Sequence, residues 1–131
     1  MSAIEHQSVV MPSGASIPVV VVRSQQPGPS VVVTANIHGD EATGIGVVHN
    51  LIRCLPDLLL RGEVHLYPTL NPAGLTANVR LLPGDGQDLN RVFPGKARGS
   101  AAERYAYALW SDIQARAPDG LIDLHTDVAG A

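Results

Sequence analysis

Val31–Gly44 reads VVVTANIHGDEATG. The β-branched run predicts a buried strand over Val31–Ala35. After it, Ile45, Val48, Leu51, Ile52 and Leu55 recur at helical spacing, which predicts a helix from Glu41 to Leu55 stopped by Pro56. A strand can stop on Gly, Asn or Asp alone. This one stops on His38, Asp40 and Glu41 within four positions, so the polar exit carries chemistry beyond turning the chain.

Working outward, Val9–Met11 and Ile17–Val22 flank PSGAS and predict two strands joined by a turn at Ser13 and Gly14. Val64–Leu70 predicts another strand, with Pro68 limiting how centrally it pairs. Residues 71–99 hold five Gly and three Pro with little periodicity, a loop longer than compact domains usually carry without a functional reason. Ala101–Ala115 reads as a helix opened by a capping box of Ser100 and Glu103. Leu121–Leu124 predicts a short buried strand that again ends on a histidine, His125. Strands alternating with helices predict an α/β sheet with helices on its faces, whose ligands sit outside the carboxyl ends of the strands.

The 131 residues, 45% hydrophobic and 16% charged, predict one globular domain with a large apolar core. A net charge of −3 without any Lys/Arg run argues against nucleic-acid or acidic-membrane partners. The opening MSAIEHQSVVMPSG has neither a basic leader nor an unbroken apolar segment. No stretch approaches the ~18 apolar residues of a membrane span. A cytoplasmic protein is therefore expected. Cys54 is the only cysteine, so any metal must be held by His and carboxylates.

His38 and Glu41 lie three residues apart across one strand exit, close enough for a tight turn to aim both at one point. Imidazole and carboxylate both suit zinc, and a catalytic zinc site uses three protein ligands and an open position. His125, at the end of a second strand, is the natural third ligand. His-x-x-Glu alone also describes a turn histidine beside a glutamate that favours a helix N-terminus. His6, His49 and His65 lack a strand-end context and read as surface or core residues. In the loop, Arg80 and Arg91 carry donors matched to a carboxylate or a developing oxyanion, although loop arginines are commonly just solvated.

HGDE, the NP…R…DLNRVFPG loop and IDLH, in this order and on these elements, resemble the succinylglutamate desuccinylase/aspartoacylase family of the zinc carboxypeptidase superfamily. The resemblance runs from about Gly14 to Thr126. It implies a mixed, largely parallel sheet flanked by helices, zinc carboxypeptidase-like and truncated. It also implies one Zn²⁺ held by His38, Glu41 and His125. By the same resemblance, Asp88 orients His38, Arg80 polarises the scissile carbonyl, and Asn90 with Arg91 grips the substrate carboxylate.

The family's general base is a glutamate on a later strand, and nothing in the closing DVAGA corresponds to it. Residues 1–131 are therefore expected to form the N-terminal part of a catalytic domain, with little activity alone. The activity implied is zinc-dependent hydrolysis of the amide bond of N-acyl amino acids or similar small carboxylates. The rival readings are a carboxypeptidase acting on peptides, and a non-catalytic zinc- or ligand-binding fragment. A sheet broken off after His125 would expose an edge and apolar side chains near Leu121–Leu124, so a homodimer is expected.

Overall fold

The computed structural model describes residues 2–126; the closing DVAGA, where the resemblance is expected to break off, lies outside the described residues. The elements are β1 (Ala3–Val10), β2 (Ser16–Arg23), β3 (Ser30–Ala35), α1 (Thr43–Leu58), β4 (Glu63–Tyr67), α2 (Pro72–Ala77), α3 (Ala101–Ala115) and β5 (Gly120–Leu124), with a single 3₁₀ turn at Leu89–Arg91. The strands form one sheet in the order β1-β2-β4-β3-β5. β1 and β2 are the expected hairpin, antiparallel to each other, and β2 is antiparallel to β4. β4 and β5 both run parallel to β3. The sheet is thus α/β and mixed, evenly divided between antiparallel and parallel pairings.

Strand alternation sorts the core into two layers. Val22, Val33, Ala35 and Leu66 face α1 and pack with its Val48. Val19, Val21, Val32 and Tyr67 face the other way, against Leu109 and Ile113 of α3. From β3 the chain crosses by α1 to β4 on one side, and then by α3 to β5 on the other. The carboxyl end of β3 is therefore a point where the winding reverses, the usual place for a ligand crevice in such sheets.

Several local expectations needed correction. Pro56 does not stop α1. It sits inside the last turn, where only one backbone bond is forfeited, and the helix closes with the Leu59 N–H on the Leu55 carbonyl. Pro68 does not push its strand outward, because β4 ends at Tyr67 and lies centrally between β2 and β3. The loop over 71–99 contains α2, capped by the Asn71 side chain with Pro72 in its first turn. β5 is not buried. It is the sheet's edge, and Leu121 and Ile122 are 45% and 52% exposed because no element of the described residues covers them. Among the described residues, no helix is long and apolar enough to cross a membrane.

Ser100 does cap α3: its hydroxyl accepts from the Glu103 N–H while the Glu103 carboxylate accepts from the Ser100 N–H. The cap anchors the helix whose far end carries a buried polar cluster. There His65 accepts from Arg116 and bonds Glu63, and Arg116 and Tyr67 share Asp112. His65 is thereby a core residue tying α3 to the sheet, while His6 and His49 are exposed, as their lack of a strand-end setting suggested.

Candidate metal centre

β3 and β5 are hydrogen-bonded neighbours running in the same direction, so residues leaving their carboxyl ends emerge side by side. That is why His38 and His125 meet. Their rings lie 5.3 Å apart, edge to face at 64°, with Glu41 between them. His38 Nδ1 is 2.6 Å from one Glu41 oxygen and His125 Nδ1 is 3.2 Å from the other. One ligand atom from each of the three residues lies within 4.8 Å of the others.

The polar exit turn is built from behind by Asn36, which the sequence reading overlooked. Asn36 is buried and has a left-handed backbone, φ 60°, a conformation Asn tolerates better than most residues. Its amide nitrogen donates to the carbonyls of His38, Gly39 and Glu41 at 3.0–3.1 Å, and its oxygen accepts from Thr69. Asn71 supports the turn from the next element, donating to the Ile37 carbonyl. One amide thus gathers three carbonyls of a buried turn, of which that of His38 also accepts from the Glu41 N–H. An Asn directly after a buried strand was the only available signal.

Glu41 precedes α1 but does not cap it. Ala42 is the N-cap and makes no side-chain cap bond. The Glu41 carboxylate is instead engaged by His38, by His125 and by the Thr126 N–H at 3.0 Å. Spending this carboxylate on the cluster rather than on the helix departs from local preference, which is the mark of a functional position. Burial works to raise the Glu41 pKa, but the Thr126 N–H and the two histidines outweigh it and hold the carboxyl below its usual range.

Asp88 Oδ1 lies 2.8 Å from His38 Nε2. It also accepts from the Asn90 N–H at 3.0 Å. Burial pushes Asp88 upward, while His38, the Asn90 N–H and Arg80 more than compensate and leave it lowered. Arg80 spans both acids, 3.4 Å from Glu41 and 3.5 Å from Asp88. Arg91 stands at the rim, 80% exposed and 3.8 Å from Asp88. The Asn90 side chain joins neither; it lines a groove of about 470 Å³ on the α3 side, beside Phe93, Trp110 and Asp123.

Each histidine therefore offers Nδ1 to Glu41 and Nε2 to an aspartate, His38 to Asp88 and His125 to Asp123. If the Nε2 protons are donated to the aspartates, both Nδ1 lone pairs face an ionised carboxylate. Lone pairs opposed at 2.6 Å repel unless a proton or a cation lies between them. The donor set is thus suited to a cation that accepts two imidazoles and a carboxylate, the ligand types zinc takes.

An α/β sheet with a His–Glu–His cluster at its switch point defines the class. The model of the succinylglutamate desuccinylase/aspartoacylase catalytic domain matches residues 27–131, and the chain belongs to that family. It is 36% identical over 110 residues to N-alpha-acetyl-L-2,4-diaminobutyric acid deacetylase of Halomonas elongata, a match covering 84% of this chain and 32% of that protein. An aspartoacylase family protein from Mesorhizobium loti superposes with a TM-score of 0.81 at 33% identity, over 95% of this chain and 40% of that one. A metallo-carboxypeptidase from Pseudomonas aeruginosa shares the fold, with a TM-score of 0.79 at 24% identity, over 95% of this chain and 35% of its own. The chain thus spans about a third of the curated relative and about two fifths of the first solved structure.

Proposed function

We propose that residues 1–131 form the metal-binding N-terminal part of a zinc-dependent hydrolase that cleaves the amide bond of a small N-acyl amino acid in the cytoplasm. The observation that carries this reading is the convergence of His38, Glu41 and His125 on one point, overlooked by Arg80, in a chain of a deacylase family. His38, Glu41 and His125 would hold one zinc ion. Bound there, zinc supplies Lewis acidity toward a carbonyl and makes an attacking water more acidic.

The chain's own residues supply orientation and charge. Asp88 keeps His38 in one tautomer and raises its basicity. Arg80, half exposed beside the cluster, is placed to donate to the oxygen on which negative charge grows as the amide carbonyl is attacked. Arg91 and Asn90 meet the carboxylate of the amino-acid half, Arg91 from the rim and Asn90 from the groove wall. The relative's deacetylation of an N-acetylated diamino acid, as its name states, supports an N-acyl amino acid as the substrate class. The resemblance implies a general-base glutamate on a later strand of the whole catalytic domain, so the 131 residues alone are expected to bind metal and hydrolyse little.

Hydrolysis of N-acyl amino acids by the whole protein, abolished by chelator and restored by zinc, tests this reading. Within that assay, Arg91→Ala should raise KM about tenfold for a substrate with a free carboxylate, the equivalent of ~1.4 kcal/mol, with kcat little changed. A neutral ester analogue should be affected far less. Equal losses on both substrates would assign Arg91 a structural role instead.

The exposed β5 edge supports a second element of the proposal, self-association of the 131-residue chain through β5. Among the described residues β5 has no strand on its outer side, and an edge of this kind with exposed Leu121 and Ile122 recruits another chain. Sedimentation velocity should show a dimer that Ile122→Lys disperses. A clean monomer across the accessible concentration range would exclude it.

A further inference from the structure

His38 and His125 are not held equally. The His38 side chain is 4% exposed and clamped in the turn that Asn36 organises, whereas the His125 side chain is 36% exposed at the edge of the sheet. Packing and the Asp88 contact together hold the first ring. The second, with less packing around it, depends more on its hydrogen bonds.

Its partner comes from its own strand. Asp123 precedes His125 by two residues, so strand alternation puts both on one face of the sheet, and Asp123 Oδ2 lies 2.7 Å from His125 Nε2. The other Asp123 oxygen accepts from Thr34 Oγ1, also at 2.7 Å. Thr34 and Asp123 are register partners across the parallel β3–β5 ladder, so the contact is fixed by strand pairing and not by a loop. Thr34 is 2% exposed, and its buried hydroxyl needs an acceptor; the alignment supplies Asp123.

We propose that Thr34 and Asp123 form a positioning pair for the third metal ligand. Thr34 fixes the carboxylate, the carboxylate fixes His125 as the Nε2–H tautomer, and the Nδ1 lone pair is thereby aimed toward Glu41. The arrangement mirrors Asp88 on His38, but it is built across two strands and bears on the more exposed ring. It rests on the metal-centre reading given under the proposed function.

The test is zinc affinity of the 131-residue chain, by competition with a chromophoric chelator, with ¹⁵N shifts of the His125 ring as a second readout. Asp123→Ala should weaken zinc binding about 10- to 100-fold, the usual cost of losing a partner behind a ligand histidine. It should also move the His125 ring away from a single Nε2–H tautomer. Thr34→Val should give a smaller loss in the same direction, and Thr34→Ser, which restores the hydroxyl, should bind as the wild type does. If Asp123→Ala lowers helical content as well, the isosteric Thr34→Val and Thr34→Ser pair decides the matter. Wild-type binding with unchanged affinity and tautomer in Asp123→Ala and Thr34→Val overturns the positioning pair alone. A wild-type chain that binds no zinc overturns the metal centre and the pair together.

Discussion

His38→Ala is expected to abolish stoichiometric zinc binding by the 131-residue chain, a loss well beyond the ~10–100-fold that substitutions behind a ligand produce. The substitution removes one of three donors, and with it the ring that stands between two acids. His38 faces Glu41 with one ring nitrogen and Asp88 with the other. Without the imidazole, those two carboxylates are left across a small void with Arg80 as their shared cation, so folding stability should fall too, by about 3 kcal/mol for a broken buried polar pair. His49→Ala is the control, because His49 is exposed on α1 and away from the cluster. Metal content by elemental analysis and affinity by chelator competition read the first effect, and urea unfolding reads the second. Unchanged zinc content in His38→Ala would remove the metal centre.

The site was legible in the sequence where chemistry overrode local preference. A histidine and a glutamate at the exit of a β-branched strand are poor turn formers compared with Gly, Asn or Asp, and a second histidine closing IDLH repeated the pattern on another strand. Pairing β5 beside β3 then turns two strand ends into one site. The supporting residues were harder to see because their signals are ordinary. Asn36 looks like any residue leaving a strand, although its amide organises the whole turn. Asp123 was visible in principle, since i and i+2 share a strand face, but Thr34 is 89 residues away from it and only the sheet register joins them. α2 is only six residues long, too short for periodicity, although Asn71 and Pro72 are a recognisable helix start. The exposure of β5 could not be read from LIDL, because an apolar run describes a side chain's preference and not whether a neighbour is there to cover it.

Gly39→Ala is expected to be the most damaging single methyl group within the metal-site turn. Gly39 lies inside the metal-site turn, and its backbone N–H approaches the Arg80 carbonyl at 3.4 Å. A Cβ there would stand 2.2 Å from the Gly74 carbonyl carbon, 2.4 Å from the Val79 oxygen and 2.5 Å from the Gly74 oxygen. All three are backbone atoms of α2 and the segment after it, so no rotamer change relieves the clash. Either the His38–Glu41 turn or the chain leading to Arg80 must move. Overpacking usually costs about 1–3 kcal/mol, and a clash on backbone from two sides should cost at least ~3 kcal/mol, a large part of the roughly 5–15 kcal/mol a domain has. Zinc affinity should fall with it, since the turn carries two ligands. Gly46→Ala makes the comparison strict. Gly46 lies on the exposed side of α1, where an added methyl would meet nothing within 4 Å, and replacing a mid-helix glycine by alanine should stabilise by about 0.5–1 kcal/mol. Urea midpoints of the two variants should therefore move in opposite directions. A Gly39→Ala chain that unfolds at the wild-type midpoint and binds zinc normally would mean that the turn and the Arg80 segment are not in contact.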